Sequence, residues 1–342
     1  MDSEEEMLKI LFKQEHGFLI SKIMFTACEL GVFDLFLESE DTLTSAAIAE
    51  RLGTSNVGME RLLEACVGLK LLRLEKKDNE GLYGNTDLAN LCLAKSSPKS
   101  QYQYMKFCSE HFYPNLEYLA QAVREGKEQI QSICGTSEKD FYKATSSSKE
   151  ELQRFSSALE DAWSLYGEEV MSAMDLSCFH IVCDLGGCSD AFAKKYISLY
   201  PNSTVTIFDL PEVVETTKHL ASSEEQRITF QGGDFFNDQV PEADLYTLAR
   251  VLHGWDDEKC VTLLTKLNKA CKPGGGVLIV DTILNEDRNG PLEAHIYSIL
   301  MLLYTKGKAR TSSEYNALLG AAGFKVIQFK KGRLFGVVLG RK

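Results

Sequence analysis

Hydrophobic and polar positions follow two patterns along the chain, and the change comes near Ser177. Before that point nearly every segment reads as helix. Phe18 to Phe36 is an apolar-rich helix pair broken at Gly31. Thr44 or Ser45 is placed to cap a helix through Arg51 that Gly53 closes, and Ser55 or Asn56 to cap a second through about Leu69. The runs LLRLE and LYGNT around KKDNEG then predict a β-hairpin. Ser96 to Ser100 reads as a loop, Tyr102 to Gly126 as an aromatic-rich helix, Thr145 to Ser148 as a polar linker and Glu150 to Met174 as another helix. After Ser177 short apolar runs alternate with helical ones. Strands are expected at His180–Leu185, Thr204–Asp209, Arg227–Gln231, Leu245–Leu252 and Val277–Ile283. Helices are expected at Ala191–Tyr200, from Asp256 or Asp257 to Cys271, and after a capping box at Thr311–Glu314. Two final β runs, Lys325–Lys331 and Arg333–Leu339, suggest an antiparallel edge.

This order predicts an α/β protein whose C-terminal part is a Rossmann-like, doubly wound, mainly parallel sheet. The N-terminal part is a mainly helical winged-helix domain. The expected division is a winged-helix domain over 1–100, a helical linker over 101–176 and the sheet domain over 177–342.

Composition narrows the partners. Among 342 residues there are 37 Lys and Arg against 49 Asp and Glu, a formal net charge of −12, which disfavours wrapping nucleic acid or coating an anionic membrane. The second helix of the helix–turn–helix exposes Glu60, Arg61 and Glu64, a mixed face rather than a DNA-reading one. A packing or dimerisation module fits better, so a homodimer is expected. The N-terminus lacks the features of a signal peptide, and no apolar run approaches the roughly 18 residues of a membrane span. Ten scattered cysteines without a C-x-x-C pair read as reduced thiols in the cytoplasm. Cys178, Cys183 and Cys188 recur at intervals of five, but zinc-type pairing is missing and no metal site is expected.

Candidate chemistry gathers at the carboxyl ends of the strands, where doubly wound sheets bind ligands. Asp184 lies at the end of the first strand and Gly186-Gly187 follow it, and such a turn admits a ligand to the backbone while the next helix N-terminus favours an anion. Asp209 closes the second strand, where an acid can hold a ribose diol. NAD and S-adenosylmethionine sites share these two features. Gly233-Asp234-Phe235 after the third strand and Lys272-Pro273-Gly274-Gly275-Gly276 before the fifth favour S-adenosylmethionine by likeness.

VCDLGG, IFDLPEVV, GGDFF, LARVLHGW, CKPGGGVLIVD and the capped helix ending AAGF resemble the small-molecule O-methyltransferases that carry an N-terminal winged-helix dimerisation domain. The likeness covers essentially the whole chain. It implies S-adenosylmethionine as cofactor and a small hydroxylated aromatic as substrate. His253 matches the histidine that takes the hydroxyl proton, and Asp281 an acid that orients it. Asp209 matches the ribose ligand, Asp234 and Phe235 the adenine region, Arg250 the cofactor's surroundings and Trp163 an aromatic of the cofactor pocket.

The chain also departs from that pattern. The usual D-x-G-G-G-x-G loop reads Asp184-Leu185-Gly186-Gly187-Cys188-Ser189-Asp190. Cys188 adds a side chain where backbone approach matters. Asp190, at the expected N-cap, would itself use the helix N–H groups and repel a bound carboxylate, by ~1 kcal/mol in water and ~4 at an effective dielectric of ~20 for charges ~4 Å apart. The acid after the histidine is replaced by Gly254 and the acid of the G-x-E-R-T stretch by Ala309. Polar substrate-facing positions correspond to Leu300 and Tyr304, and a tyrosine before the middle helix to Ser146. Two readings stay open: an active O-methyltransferase with a more apolar substrate, or a weakened paralogue that acts by binding or as a scaffold.

Overall fold

Small polar side chains start the N-terminal helices, and glycines end two of them. The computed structural model describes residues 4–39, 42–77, 80–135, 141–146, 148–220 and 225–342. Helix α1 spans Glu4–Glu15, α2 Gly17–Glu29 and α3 Val32–Glu38, with Gly31 at φ +79° dividing the last two. After the short strand β1 (Leu43–Thr44), Thr44 rather than Ser45 caps α4 (Ser45–Leu52): its Oγ1 accepts the Ala47 N–H at 3.3 Å. Ser55 caps α5 (Asn56–Gly68). Strands β2 (Leu72–Lys77) and β3 (Glu80–Asn85) form the expected antiparallel hairpin, with β1 on the other side of β3. Phe33, Ile48, Met59, Leu63, Cys66 and Tyr83 make a core among these elements. Helix α1 stays outside it. None of its residues is buried, and Met7, Leu8, Leu11 and Phe12 are all at least half exposed, Phe12 at 59%.

Residues 1–114 form one compact unit and residues 115–342 the other, so the segment expected as a separate linker over 101–176 is shared between them. Helix α6 is Asp87–Cys92. The stretch expected to be helical over Tyr102–Gly126 is helical in pieces: α7 (Tyr102–Phe107), a π turn at Cys108–Phe112, α8 (Tyr113–Asn115), a 3-10 turn at Leu116–Tyr118 and α9 (Leu119–Glu125). Pro114 lies in this run and has no N–H to give to a regular helical ladder. Helix α10 is Ile130–Cys134 and α11 Phe141–Ser146. The polar stretch read as a linker is therefore mostly helical at its start. Thr145 and Ser146 end α11, Ser147 lies outside the described residues, and Ser148 caps α12 (Lys149–Ser172) by accepting the Glu151 N–H at 3.3 Å.

The C-terminal unit is built on a seven-stranded sheet. Its elements are β4 (Ile181–Leu185), α13 (Ala191–Leu199), β5 (Thr204–Asp209), α14 (Pro211–Leu220), β6 (Ile228–Gly232), β7 (Leu245–Ala249), α15 (Asp257–Ala270) and β8 (Gly276–Asp281). They are followed by β9 (Ile283–Leu284), α16 (Leu292–Tyr304), β10 (Arg310–Thr311), α17 (Ser312–Ala321), β11 (Val326–Lys330) and β12 (Gly336–Arg341). The sheet order is β11-β12-β8-β7-β4-β5-β6. Strands β4 to β8 are parallel, and β12 and β11 add antiparallel at one edge as expected. Strand β8 is buried throughout and serves both faces. Val277 and Ile279 pack with Leu263, Leu267 and Tyr315, whereas Leu278 and Val280 pack with Met171, Phe192 and Tyr196. Strand order reverses between β4 and β7, which puts a ligand crevice at their carboxyl ends.

Two strands end earlier than expected. Strand β7 stops at Ala249 because Arg250 takes the left-handed conformation, φ +59°, which ends the ladder and leads into a 3-10 turn at Leu252–Gly254. Strand β8 stops at Asp281, and Ile283–Leu284 pairs separately with β10. The capping box at Thr311–Glu314 is present.

Candidate active site

At the switch a hydrogen-bonded relay stands behind His253. Its 3-10 turn follows β7, and Asp281 ends the neighbouring β8. His253 Nδ1 lies 2.6 Å from Asp281 Oδ1. Asp281 is fully buried and held twice more: the Tyr315 hydroxyl donates to Oδ2 at 3.0 Å and the Thr282 N–H to Oδ1 at 2.9 Å. An ionised carboxylate there accepts the Nδ1 proton, which fixes the tautomer and leaves Nε2 as the basic nitrogen. Nε2 has no hydrogen bond to a described residue, and the ring stays partly open, at 12% side-chain exposure.

Backbone clamps hold that turn. Arg310, fully buried, donates to the carbonyls of Leu252 at 2.9 Å and Trp255 at 2.7 Å and to Asp257 Oδ1 at 2.9 Å. Gly307 lies so close to the His253 carbonyl that a Cβ would overlap it.

The loop after β4 contains two buried carboxyls. Asp184 Oδ1 accepts the Thr247 hydroxyl at 2.5 Å, and its Oδ2 is buried without a hydrogen bond. A Cβ on Gly187 would strike that oxygen. Burial pushes the Asp184 carboxyl up to about 7, with the nearby Asp209 adding to the rise and the Thr247 bond opposing it. Asp209 accepts the N–H groups of Cys188 at 3.0 Å and Leu210 at 2.8 Å, and burial raises it to about 6 against those bonds. Gly186, φ +68°, brings this loop against its neighbours: a Cβ there would lie 3.0 Å from Val251 and 3.7 Å from Phe235.

The other expected residues are less directly gathered. Gly233 abuts the Phe208 ring, leaving no room for a Cβ. The Asp234 carboxylate is taken up by its own loop, accepting the Phe236 N–H at 2.8 Å and Asn237 Nδ2 at 2.7 Å. Arg250 donates to the Leu159 carbonyl at 3.3 Å and stands over the Phe335 ring. Trp163 packs edge-on to Phe192, with ring centres 5.5 Å apart.

Both loop departures differ from expectation. Asp190 is the N-cap residue of α13, yet its side chain makes no cap hydrogen bond. Its buried carboxylate is paired with Lys194, whose Nζ lies 2.8 Å away one turn along the helix, and the helix N–H groups are not taken by it. Cys188 holds φ +55°, and its side chain packs with Leu152, Val213 and Leu210 instead of filling the crevice. Its carbonyl accepts the hydroxyls of Ser156 at 2.7 Å and Thr217 at 3.0 Å.

On the substrate side Leu300 is buried, and the buried Tyr304 accepts from Asn115 Nδ2 at 3.2 Å and packs on Phe141, 5.1 Å between ring centres. Ala309 is buried with Leu284 and Ala294. Nothing is described of the Ser146 side chain. Three residues that hold the site are not legible as such in the sequence: Tyr315, Thr247 and Arg310. Tyr315 was one turn into a helix already recognised by its capping box, which was the available signal.

The chain matches two family models: an O-methyltransferase dimerisation domain over residues 12–95 and an O-methyltransferase domain over residues 116–325. Acetylserotonin O-methyltransferase of Gallus gallus is 52% identical over 346 residues, covering 100% of both chains. The enzyme of that name from Homo sapiens is 45% identical over 342 residues, covering 99% of each. The crystal structure of human N-acetylserotonin methyltransferase in complex with SAM matches with a TM-score of 0.95 at 45% identity, over 100% of this chain and 99% of that one.

Proposed function

The chain belongs to the O-methyltransferase family, and from that premise we propose that His253 is the general base for methylating the hydroxyl of a small aromatic. The 2.6 Å contact between His253 Nδ1 and a fully buried Asp281 carries this reading. The cofactor is S-adenosylmethionine, which supplies an electrophilic methyl on a sulfonium centre. The site suits it. The orphaned Asp184 Oδ2 can accept from an ammonium, Asp209 can receive a ribose hydroxyl, and the α13 N-terminus, unused by Asp190, favours a carboxylate. Phe235, at the meeting of three loops, offers a ring edge to adenine. His253 Nε2 then accepts the substrate's hydroxyl proton, and Asp281 stabilises the resulting imidazolium.

The substrate is a hydroxylated aromatic of the acetylserotonin type, which would make melatonin the product. Leu300 and the already hydrogen-bonded Tyr304 favour a less polar side arm than the acetamide. Assay of the purified protein with S-adenosylmethionine, comparing N-acetylserotonin with hydroxyindoles bearing alkyl arms, tests both points. No O-methylated product from any of them would overturn the function, and a strong preference for N-acetylserotonin would overturn the side-arm preference.

Cofactor affinity should depend on pH. S-adenosylmethionine carries a sulfonium and an ammonium against one carboxylate, so it favours ionised Asp184 and Asp209. Their carboxyls, raised to about 7 and about 6, are progressively protonated below neutrality. Calorimetric titration should find tighter binding at pH 8 than at pH 5.5, with protons released on binding between the two. Unliganded stability moves oppositely through these two groups. Folded-state values raised above the ordinary carboxylate range make their contribution grow as pH falls from about 7 toward 4. Equal affinity at both pH values would contradict this role for the pair.

The protein works as a homodimer through its N-terminal winged-helix unit, and in the reducing cytoplasm, as its ten free cysteines suit. Among the described residues no helix is long and apolar enough to cross a membrane. Helix α1, twelve residues with an exposed apolar face, is marginal alone and gains by pairing. Phe12→Asp with Leu11→Asp should shift the sedimentation of the purified protein toward monomer. An unchanged dimer would rule α1 out of the contact.

A further inference from the structure

The residue after His253 is a glycine for a reason outside its own turn. A Cβ on Gly254 would strike the phenol oxygen of Tyr142 and come within 3.0 Å of its Cζ and 3.1 Å of its Cε2. Gly254 itself is buried, and its φ lies outside the left-handed region, so backbone freedom does not explain it. What the missing side chain provides is space, and Tyr142 fills it. Tyr142 comes from α11, 112 positions upstream, and it is half-buried. Its ring stands 5.6 Å from that of Trp255, centre to centre, at an interplanar angle of 32°. Phe141 beside it packs on Tyr304.

The geometry points to Tyr142 as a substrate-positioning residue, whose phenol contacts the hydroxylated ring beside the reacting oxygen, admitted to that position by the glycine at 254. This rests on His253 being the base, since the contact is with the backbone next to it. The chemistry follows from the groups present. A phenol both donates and accepts a hydrogen bond, and its ring offers an apolar face, so it suits an aromatic alcohol better than an acyclic or highly charged one. A phenol does not ionise near neutral pH as a carboxylate does, so the hydrogen bond orients the substrate hydroxyl without adding a second anion to the site. Tyr142 and Gly254 are therefore one device. Altering the glycine should act through the tyrosine.

The test is kinetic and uses the intact protein with N-acetylserotonin and an alkyl-armed hydroxyindole as probes. Tyr142→Phe should raise KM roughly three- to tenfold, the value of one hydrogen bond, with kcat little changed. Gly254→Ala should raise KM at least as much. Combining Gly254→Ala with Tyr142→Ala should be no worse than Tyr142→Ala alone, because the residue displaced is already gone. Melting temperature and calorimetric affinity for S-adenosylmethionine should stay at wild-type values in Tyr142→Phe, which separates positioning from misfolding. Unchanged KM in Tyr142→Phe, or additive effects in the double variant, would overturn the proposal and leave the O-methyltransferase reading standing. Should the wild type methylate neither probe, calorimetric binding of the probes decides: weaker binding by Tyr142→Phe supports the contact, and equal binding or none by the wild type refutes it.

Discussion

Replacing His253 by asparagine should lower kcat by roughly two to four powers of ten while leaving the affinity for S-adenosylmethionine unchanged. The split follows from where the residue stands. Among the described residues the His253 side chain hydrogen-bonds to Asp281, and Asp184 and Asp209 are held by other groups. Asparagine keeps a hydrogen-bonding shape without a basic nitrogen. Asp281→Asn should cost less than the loss of the base but should also slow turnover, because an amide oxygen no longer stabilises the imidazolium. Tyr315→Phe should be milder again, since Asp281 keeps the Thr282 N–H. A His253→Asn variant that turns over at the wild-type rate, in single-turnover assay, would remove the general base from the mechanism.

The largest effect on stability should come from Arg310→Met. The guanidinium is fully buried, and it gives one hydrogen bond to each of the Leu252 and Trp255 carbonyls. Methionine fills part of the volume and supplies no donor. The Leu252 carbonyl keeps the Trp255 N–H at 3.2 Å and both carbonyls keep the Cys260 thiol, so each loses one charge-assisted bond. Such bonds are worth about 1.5–3 kcal/mol each, so a total of about 3–6 kcal/mol is expected. Asp257 contributes little to that sum because it is exposed and keeps Lys308, 3.2 Å away. For a chain of this size the melting temperature should fall by roughly 5–15 °C. Turnover should fall further than stability explains, since the two carbonyls bracket His253. Differential scanning calorimetry and kcat at a temperature where the variant is folded separate the two effects. A variant that melts and turns over like the wild type would show that the clamp is dispensable.

Much of this arrangement is legible in the sequence. Thr44, Ser55 and the Thr311–Glu314 box cap the helices their side chains announced, and Gly31 and Gly53 end segments where a left-handed turn was needed. The strand order of the alternating half is legible because parallel strands buried on both faces are nearly continuous apolar runs, though β7 and β8 end earlier than those runs suggest. His253 and Asp281 were recognisable as neighbours by likeness to a family and by their place at strand ends. What failed did so for local reasons. Arg250 turns left-handed, and nothing in an arginine announces that. Asp190 had two partners within reach, the helix N–H groups and Lys194 four residues on, and the ion pair won. Tyr142 lies beside Gly254 only through the fold, and no spacing in the chain encodes that proximity.

Cys188 has a consequence for the thermodynamics of cofactor capture. A glycine-rich loop is mobile until its ligand freezes it, and each residue frozen costs about 1–2 kcal/mol of conformational entropy. Here the same turn is immobilised in advance. Asp209 holds the Cys188 N–H, two hydroxyls hold its carbonyl, and the thiol is anchored among aliphatic side chains. The disorder is lost when the chain folds, together with the strain of a left-handed cysteine. Association should therefore show a smaller entropic penalty, by calorimetry, than in a variant carrying Cys188→Gly.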